Sequence, residues 1–132
     1  MLATSALVVV ADGSSAHLYK NTGHETISLD LLETITPHSQ THDEGLAGHS
    51  PAEQSPQDRH ESSFITQLVH KLNTMALDHA LPSEVVIVAD PTSLGHMRPL
   101  YHAELKRRIV REVPKTLVKA SAHDLATALS KP

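Results

Sequence analysis

The sequence predicts an α/β protein with a mixed five-stranded sheet in the order 3-2-1-4-5 and helices packed on it. Residues 7–10 and 85–88 are two unbroken aliphatic runs, and a strand with no polar face is usually buried on both sides. Asp12 and Gly13 follow the first run and indicate a hairpin, because both residue types tolerate positive φ. A helical pattern separates the two runs, which therefore form parallel neighbouring strands joined by a crossover.

The first three strands are predicted to form an antiparallel meander. Residues 16–19 return after the hairpin as strand 2, and apolar and polar residues alternate over about residues 27–36 as strand 3. Glu33 interrupts the alternation on the apolar side, which indicates a sheet edge or a bulge. Pro37 ends the strand.

Two helical segments follow. Ser55 and Pro56 predict a helix start, since serine caps helices and proline suits the first helical position. Apolar residues then recur at helical spacing to about Ala80. A second helical pattern covers about residues 92–107 and contains Pro99, which predicts a kink or a late start.

A short strand and a short helix complete the predicted chain. Ile109, Val110 and Val113 indicate the fifth strand, and Pro114 places it at an edge of the sheet because proline cannot donate to a ladder. Ser121 is the predicted cap of the last helix.

Composition limits the class of protein. The 132 residues suffice for one domain, residues 1–132, with its own core. The chain has no cysteine, which excludes disulfides and thiolate chemistry and suits the cytoplasm, the expected location. Its one apolar run near the start is too short to span a membrane and lacks the basic flank of a signal peptide. With one Phe, two Tyr and no Trp, an aromatic platform for single-stranded nucleic acid is not expected.

The charges are divided unevenly along the chain. Residues 25–61 contain eight acids and one base, a net charge of −7, whereas residues 98–119 contain seven bases and two acids, a net charge of +5. The basic segment could orient the protein on a polyanion; the favoured interpretation is a solvated helix face. The candidate residues are Arg98, Lys106, Arg107, Arg108, Arg111, Lys115 and Lys119.

A long polar loop is predicted at about residues 37–55, where Leu46 and two alanines are the only apolar residues. Loops of this length are usually functional or disordered. The favoured interpretation is a disordered loop or one that a partner protein orders. The alternative is a metal site, whose candidate ligands are His38, His42, Asp43 and His49. No cofactor is predicted.

Two aspartates follow the two aliphatic runs. Asp12 and Asp90 are predicted to meet at the carboxyl ends of neighbouring parallel strands, where open α/β sheets place their sites. Paired carboxylates there could bind a divalent cation for hydrolysis. The favoured alternative is that Asp12 makes the turn and Asp90 caps the next helix. A nuclease would need further carboxylates, for which Glu61 and Asp124 are the candidates.

Three segments of the chain are VADGSSAHLY in the hairpin, RHESSFITQLVHKLN in the long helix and VVIVADPTSLGHMRPL after it. Together they resemble the bacterial host attachment protein family, described as required for attachment to host cells. That family is similar to the central domain of archaeal and eukaryotic peptide-chain release factors. The resemblance covers nearly the whole chain, and it implies a ribonuclease H-like or ribosomal protein L18-like fold with the same strand order.

The resemblance also implies what the chain lacks. In those release factors a Gly-Gly-Gln tripeptide in the loop before the long helix hydrolyses peptidyl-tRNA. The corresponding loop here reads LAGHSPAEQS, so that Gly45 and Gly48 are not consecutive and Gln54 follows neither. Docking to RNA or the ribosome, without that hydrolysis, is what the resemblance implies.

Three functional hypotheses follow. The first is a non-catalytic binding module that contacts RNA or the ribosome through the basic segment. The second is a metal-dependent hydrolase or nuclease that uses Asp12 and Asp90. The third is a protein-interaction role in attachment to host cells. An edge strand could also pair two copies of the chain, so a homo-oligomer is compatible with each hypothesis.

Overall fold

A computed structural model of the protein describes residues 4–36 and 56–130. Five strands form one sheet in the order β3-β2-β1-β4-β5, which confirms the predicted order. β1 pairs antiparallel with β2 and parallel with β4, β2 pairs antiparallel with β3, and β4 pairs parallel with β5. The strands are β1 Leu7–Ala11, β2 Ala16–Asn21, β3 Leu29–Ile35, β4 Val85–Ala89 and β5 Ile109–Pro114.

The two aliphatic runs are the centre of the sheet, as predicted. All residues of β1 and β4 are buried, because both faces of these strands are covered by helices. Side chains of successive strand residues point to opposite faces, so the runs contribute to two separate clusters. Val9 and Ile87 belong to one cluster, and Val8 and Val86 belong to the other.

The helices cover the two faces unequally. The first cluster receives side chains from the three helices between β3 and β5, and the second receives them from the last helix. Phe64, Leu68 and Leu72 lie on the apolar stripe that the helical spacing predicts, and each is fully buried. The helices are α1 Pro56–Leu77, α2 Pro91–Met97, α3 Ala103–Lys106 and α4 Ala122–Leu129.

The second helical segment differs from a single kinked helix. It breaks into α2, a 3-10 turn at Arg98–Leu100 and the single-turn helix α3. Pro99 has no amide hydrogen to continue the helical ladder. Tyr101 and His102 are extended at the break, and the His102 side chain accepts from the backbone N–H of Glu104 to start α3. The predicted kink is therefore a complete interruption.

The end of α1 and the hairpin after β1 also differ from expectation. α1 ends at Leu77, because His79 takes a left-handed conformation (φ 58°) and the N–H of Ala80 bonds back to the carbonyl of Met75 at 2.8 Å. The hairpin connects β1 to β2 as predicted, but neither Asp12 nor Gly13 has positive φ.

β3 is shorter than predicted and is distorted at the predicted place. Its register against β2 shifts by one residue, because Leu18 pairs with Glu33 and Tyr19 pairs with Leu31. Leu32 is the extra residue, so the interrupted alternation at Glu33 marks an irregularity of the bulge type. The Glu33 carboxylate lies 3.2 Å from Lys71 Nζ in α1.

Candidate functional site

Asp12 and Asp90 follow two strands that pair in parallel, with Ala11 opposite Ala89. The Asp12 Oδ1 atom accepts hydrogen bonds from the backbone N–H groups of Ser14 and Ser15, both at 2.8 Å. This is the contact expected of an aspartate that shapes a turn.

Asp90 is the N-cap of α2. Its backbone is extended (φ −62°, ψ 157°), and its Oδ2 atom accepts from the N–H of Ser93 at 3.1 Å. Aspartate is a preferred capping residue because its carboxylate satisfies an amide that the helix leaves free. Both aspartates therefore have the structural roles that the alternative interpretation gave them, and their use in catalysis stays a prediction.

The described residues contain no cluster of side chains suited to bind a metal ion. Among residues 4–36 and 56–130, no group of three or more histidine, aspartate or glutamate side chains is placed to hold a metal ion. Asp124 lies in the first turn of α4, where its backbone N–H bonds to the Ser121 hydroxyl. The following predicted residues lie outside what the structure describes: His38, His42, Asp43, Gly45, Gly48, His49, Gln54 and the side chain of Glu61.

The basic residues of the 98–119 segment lie on or beside the edge strand β5. Arg98 is in the 3-10 turn, and Lys106 is the last residue of α3. Arg107 and Arg108 form the turn into β5, and Arg111 is within it. Lys115 and Lys119 are exposed in the connection from β5 to α4.

An open groove of about 670 Å³ runs beside β5. We call this feature the β5 groove. Its polar lining consists of the three cations Arg98, Lys106 and Arg111 together with Tyr101 and Glu112. Four of the seven candidate basic residues, Arg107, Arg108, Lys115 and Lys119, do not line it.

The floor of the β5 groove is a hydrogen-bonded network around Glu112. The Nε and Nη2 atoms of Arg98 each lie 2.9 Å from Oε1 of Glu112. The Tyr101 hydroxyl donates to Oε2 at 3.1 Å. Burial, together with the neighbouring Glu112 carboxylate, raises the pKa of Tyr101 above its ordinary value, so the phenol stays a donor at neutral pH.

The other arginines differ in how they are held. Arg111 Nη1 donates to the carbonyl of Leu129 at 2.9 Å, which ties β5 to the end of α4. Arg107 Nη1 lies 3.4 Å from the Glu104 carboxylate, three residues earlier in the chain. The Nε atom of Arg108 is buried without a hydrogen-bond partner in the described part of the chain.

Lys106 differs from the two arginines that line the β5 groove with it. No salt bridge of Lys106 is present within residues 4–36 and 56–130. Its ammonium group is exposed and can meet an external anion without giving up an internal partner. Among the lining cations of the groove, Lys106 is therefore the one whose charge is least compensated.

Sequence reasoning missed Tyr101 and Glu112 as parts of this site. Tyr101 falls within the predicted helix over about residues 92–107, and Glu112 enters only the charge total of residues 98–119. One signal was available, since alternation along β5 places Glu112 on the face opposite Val113, which is the face against which Tyr101 packs. Nothing in the spacing of Arg98, Tyr101 and Glu112 predicts that they meet.

Comparison with known protein families shows which family this chain matches. The family model described as bacterial archaeo-eukaryotic release factor family 12 matches residues 5–129. The chain belongs to this family. The match confirms the predicted relation to release factors, while the resemblance to host attachment proteins stays a prediction. A search of curated proteins finds no match.

This family 12 protein has no helix suited to crossing a bilayer in the part of the chain that the structure describes.

Proposed function

We propose that this release-factor-family protein is a non-catalytic module that docks on RNA, in the ribosome or outside it, through the β5 groove. The observation that carries the proposal is the concentration of cations along one sheet edge, with Arg98, Lys106 and Arg111 lining one groove. Phosphate groups are the anions that such a surface meets on RNA, and their contacts dominate affinity.

The sequence favours docking without hydrolysis. The loop before α1 contains no Gly-Gly-Gln tripeptide, which the resemblance assigns to peptidyl-tRNA cleavage in release factors. The metal-dependent hydrolase is the alternative. The parallel pairing of β1 with β4 favours it, because Asp12 and Asp90 directly follow the carboxyl ends of these neighbouring strands. It requires Mg²⁺ or Mn²⁺ binding that is lost in Asp90→Asn. A protein-interaction role in attachment rests on the family resemblance alone.

The decisive experiment is sucrose-gradient sedimentation of the full chain in cell lysate at low and high salt. We expect co-migration with ribosomal particles at low salt and release at high salt, since phosphate contacts weaken as counterions compete. Lys106→Glu should release the protein at low salt. The matched control is Lys20→Glu, an exposed residue of β2 with the same change of charge, and it should still co-migrate.

Two outcomes would contradict the proposal. The wild-type protein could stay at the top of the gradient at both salt concentrations, which would exclude docking on the ribosome. If the protein also fails to bind a purified RNA, docking on RNA is excluded altogether. Alternatively, Lys106→Glu and Lys20→Glu could behave alike, in which case the β5 groove is not the contact.

A further inference from the structure

The β5 groove contains one acidic side chain among its cations. Glu112 accepts hydrogen bonds from Arg98 Nε and the Tyr101 hydroxyl and forms an ion pair with Arg98 Nη2, so both of its carboxylate oxygens have a partner. Its side chain is 25% exposed, whereas that of Arg98 is 57% exposed. Glu112 is thus less exposed than the arginine that it holds, and both line the groove.

We infer that Glu112 is a built-in competitor for a phosphate group that binds in the β5 groove and that it limits the affinity of the groove for RNA. This inference rests on the proposed function. A carboxylate and a phosphate oxygen use the same guanidinium donors in the same planar geometry. While Arg98 holds Glu112, its charge is largely neutralised and fewer of its donors face an incoming phosphate.

Tyr101 keeps the competitor in place. Its hydroxyl holds Oε2 while Arg98 holds Oε1, so the carboxylate is fixed at both oxygens. This phenol is protonated at neutral pH, and burial with the neighbouring carboxylate raises its pKa still further above that range, so it remains a donor. Lys106 lines the same groove and provides the phosphate with a cation that Glu112 does not engage.

A second acid–base pair of the same segment provides a matched control. Glu104 and Arg107 form an ion pair across one turn at 3.4 Å, and neither residue lines the groove. Glu112→Gln and Glu104→Gln each remove one negative charge next to one arginine. In Glu112→Gln the arginine that loses its partner lines the groove, whereas in Glu104→Gln it does not.

The test is binding of the full chain to a fluorescein-labelled single-stranded oligouridylate, followed by fluorescence anisotropy over a series of KCl concentrations. Glu112→Gln should tighten binding by about twofold to fivefold, the range of an exposed ion pair. The slope of log affinity against log salt should steepen by about 0.7, as expected for one additional phosphate contact on a single strand. Glu104→Gln should change the affinity less than twofold and leave the slope unchanged.

A charge-neutral variant supplies the second measurement, and thermal melting checks that each variant is folded. Arg98→Gln combined with Glu112→Gln should bind within about twofold of wild type, because the pair it removes is already neutral. Lys106→Gln, measured in the same assay, shows the effect of losing one cation of the groove. If the double variant binds as weakly as Lys106→Gln, Arg98 binds RNA despite Glu112, which overturns the inference.

The remaining outcomes separate the inference from the proposed function. Equal effects of Glu112→Gln and Glu104→Gln would overturn the inference, since net charge alone would then explain both, while RNA docking stands. Weaker binding of Glu112→Gln would also overturn it and make Glu112 a positioning residue for Arg98. Failure of the wild-type protein to bind the oligonucleotide at low salt would overturn the inference, and the proposed function would fall with it only if the protein also stays at the top of the sucrose gradient.

Discussion

The two edges of the sheet share one structural device and differ in charge. β3 and β5 each contain one extra residue relative to the strand beside them, and the extra residue is an exposed aliphatic in both. These residues are Leu32, 58% exposed, and Val110, 55% exposed. β3 carries the acids Asp30 and Glu33, whereas β5 adjoins the groove that contains three cations.

The comparison separates a structural role from a functional one. An irregular edge strand resists pairing with another chain, and this applies to both edges. Glu33 is engaged by Lys71 from α1, so the acidic edge is tied back to the body of the protein. At β5 the cations exceed the acids, and Lys106 has no salt bridge within the described residues. The shared irregularity is therefore structural, and the charge of the β5 edge is what bears on binding.

The largest expected effect tests whether the extra residues lie outside the core. Leu29→Asp on β3 and Val113→Asp on β5 should each lower the free energy of unfolding by about 3 kcal/mol or more, because each buries a carboxylate in the second cluster. Leu32→Asp and Val110→Asp should change it by less than about 0.5 kcal/mol. Urea denaturation measures all four. A large loss for Leu32→Asp alone would mean that the two edges are not equivalent.

An intermediate effect concerns Arg111, which joins β5 to α4. Arg111→Met should lower the free energy of unfolding by about 1–2 kcal/mol, since the Leu129 carbonyl loses a charged donor. Lys115→Met, an exposed neighbour, removes the same charge and should have little effect on thermal unfolding. If the two variants melt together, the contact between Arg111 and Leu129 does not stabilise the fold.

The smallest effect is confined to alkaline pH and to the β5 edge. The folded-state pKa of Tyr101 lies above its usual value of 10.0, so unfolding releases a proton once the pH exceeds that value. The contribution of this group to stability is complete below pH 10 and declines as the pH rises further. Urea denaturation should therefore show a difference between wild type and Tyr101→Phe that is constant below about pH 9 and smaller at higher pH. A difference that grows with pH would contradict the raised pKa.

Much of the fold follows from local patterns in the sequence. The aliphatic runs at Val8 and Val86 predict buried central strands, and the confirmed order of the sheet follows from those runs and their connections. Ser121 caps α4 through its hydroxyl, as predicted. These features succeed because periodicity, capping and turn formation depend on residues close together in the chain.

Other features escaped prediction because they depend on contacts between distant residues. The stop of α1 at Leu77 is a local exception, because it is fixed by a left-handed His79 where glycine or asparagine is the usual signal. The break after Pro99 places Tyr101 beside Glu112 instead of on a helix, and the hydrogen bond between them closes the network. Sequence reasoning found the cations of the site but not the acid that holds Arg98.

The sequence by itself determined the α/β class, the order of the strands, the relation to release factors and the basic character of the segment of residues 98–119. The tertiary structure decided which of its seven bases share one groove and which is neutralised by Glu112. The physical reason is that strand order depends on hydrophobic periodicity within each segment, whereas the charge of a site depends on which side chains from separate elements come within hydrogen-bonding distance.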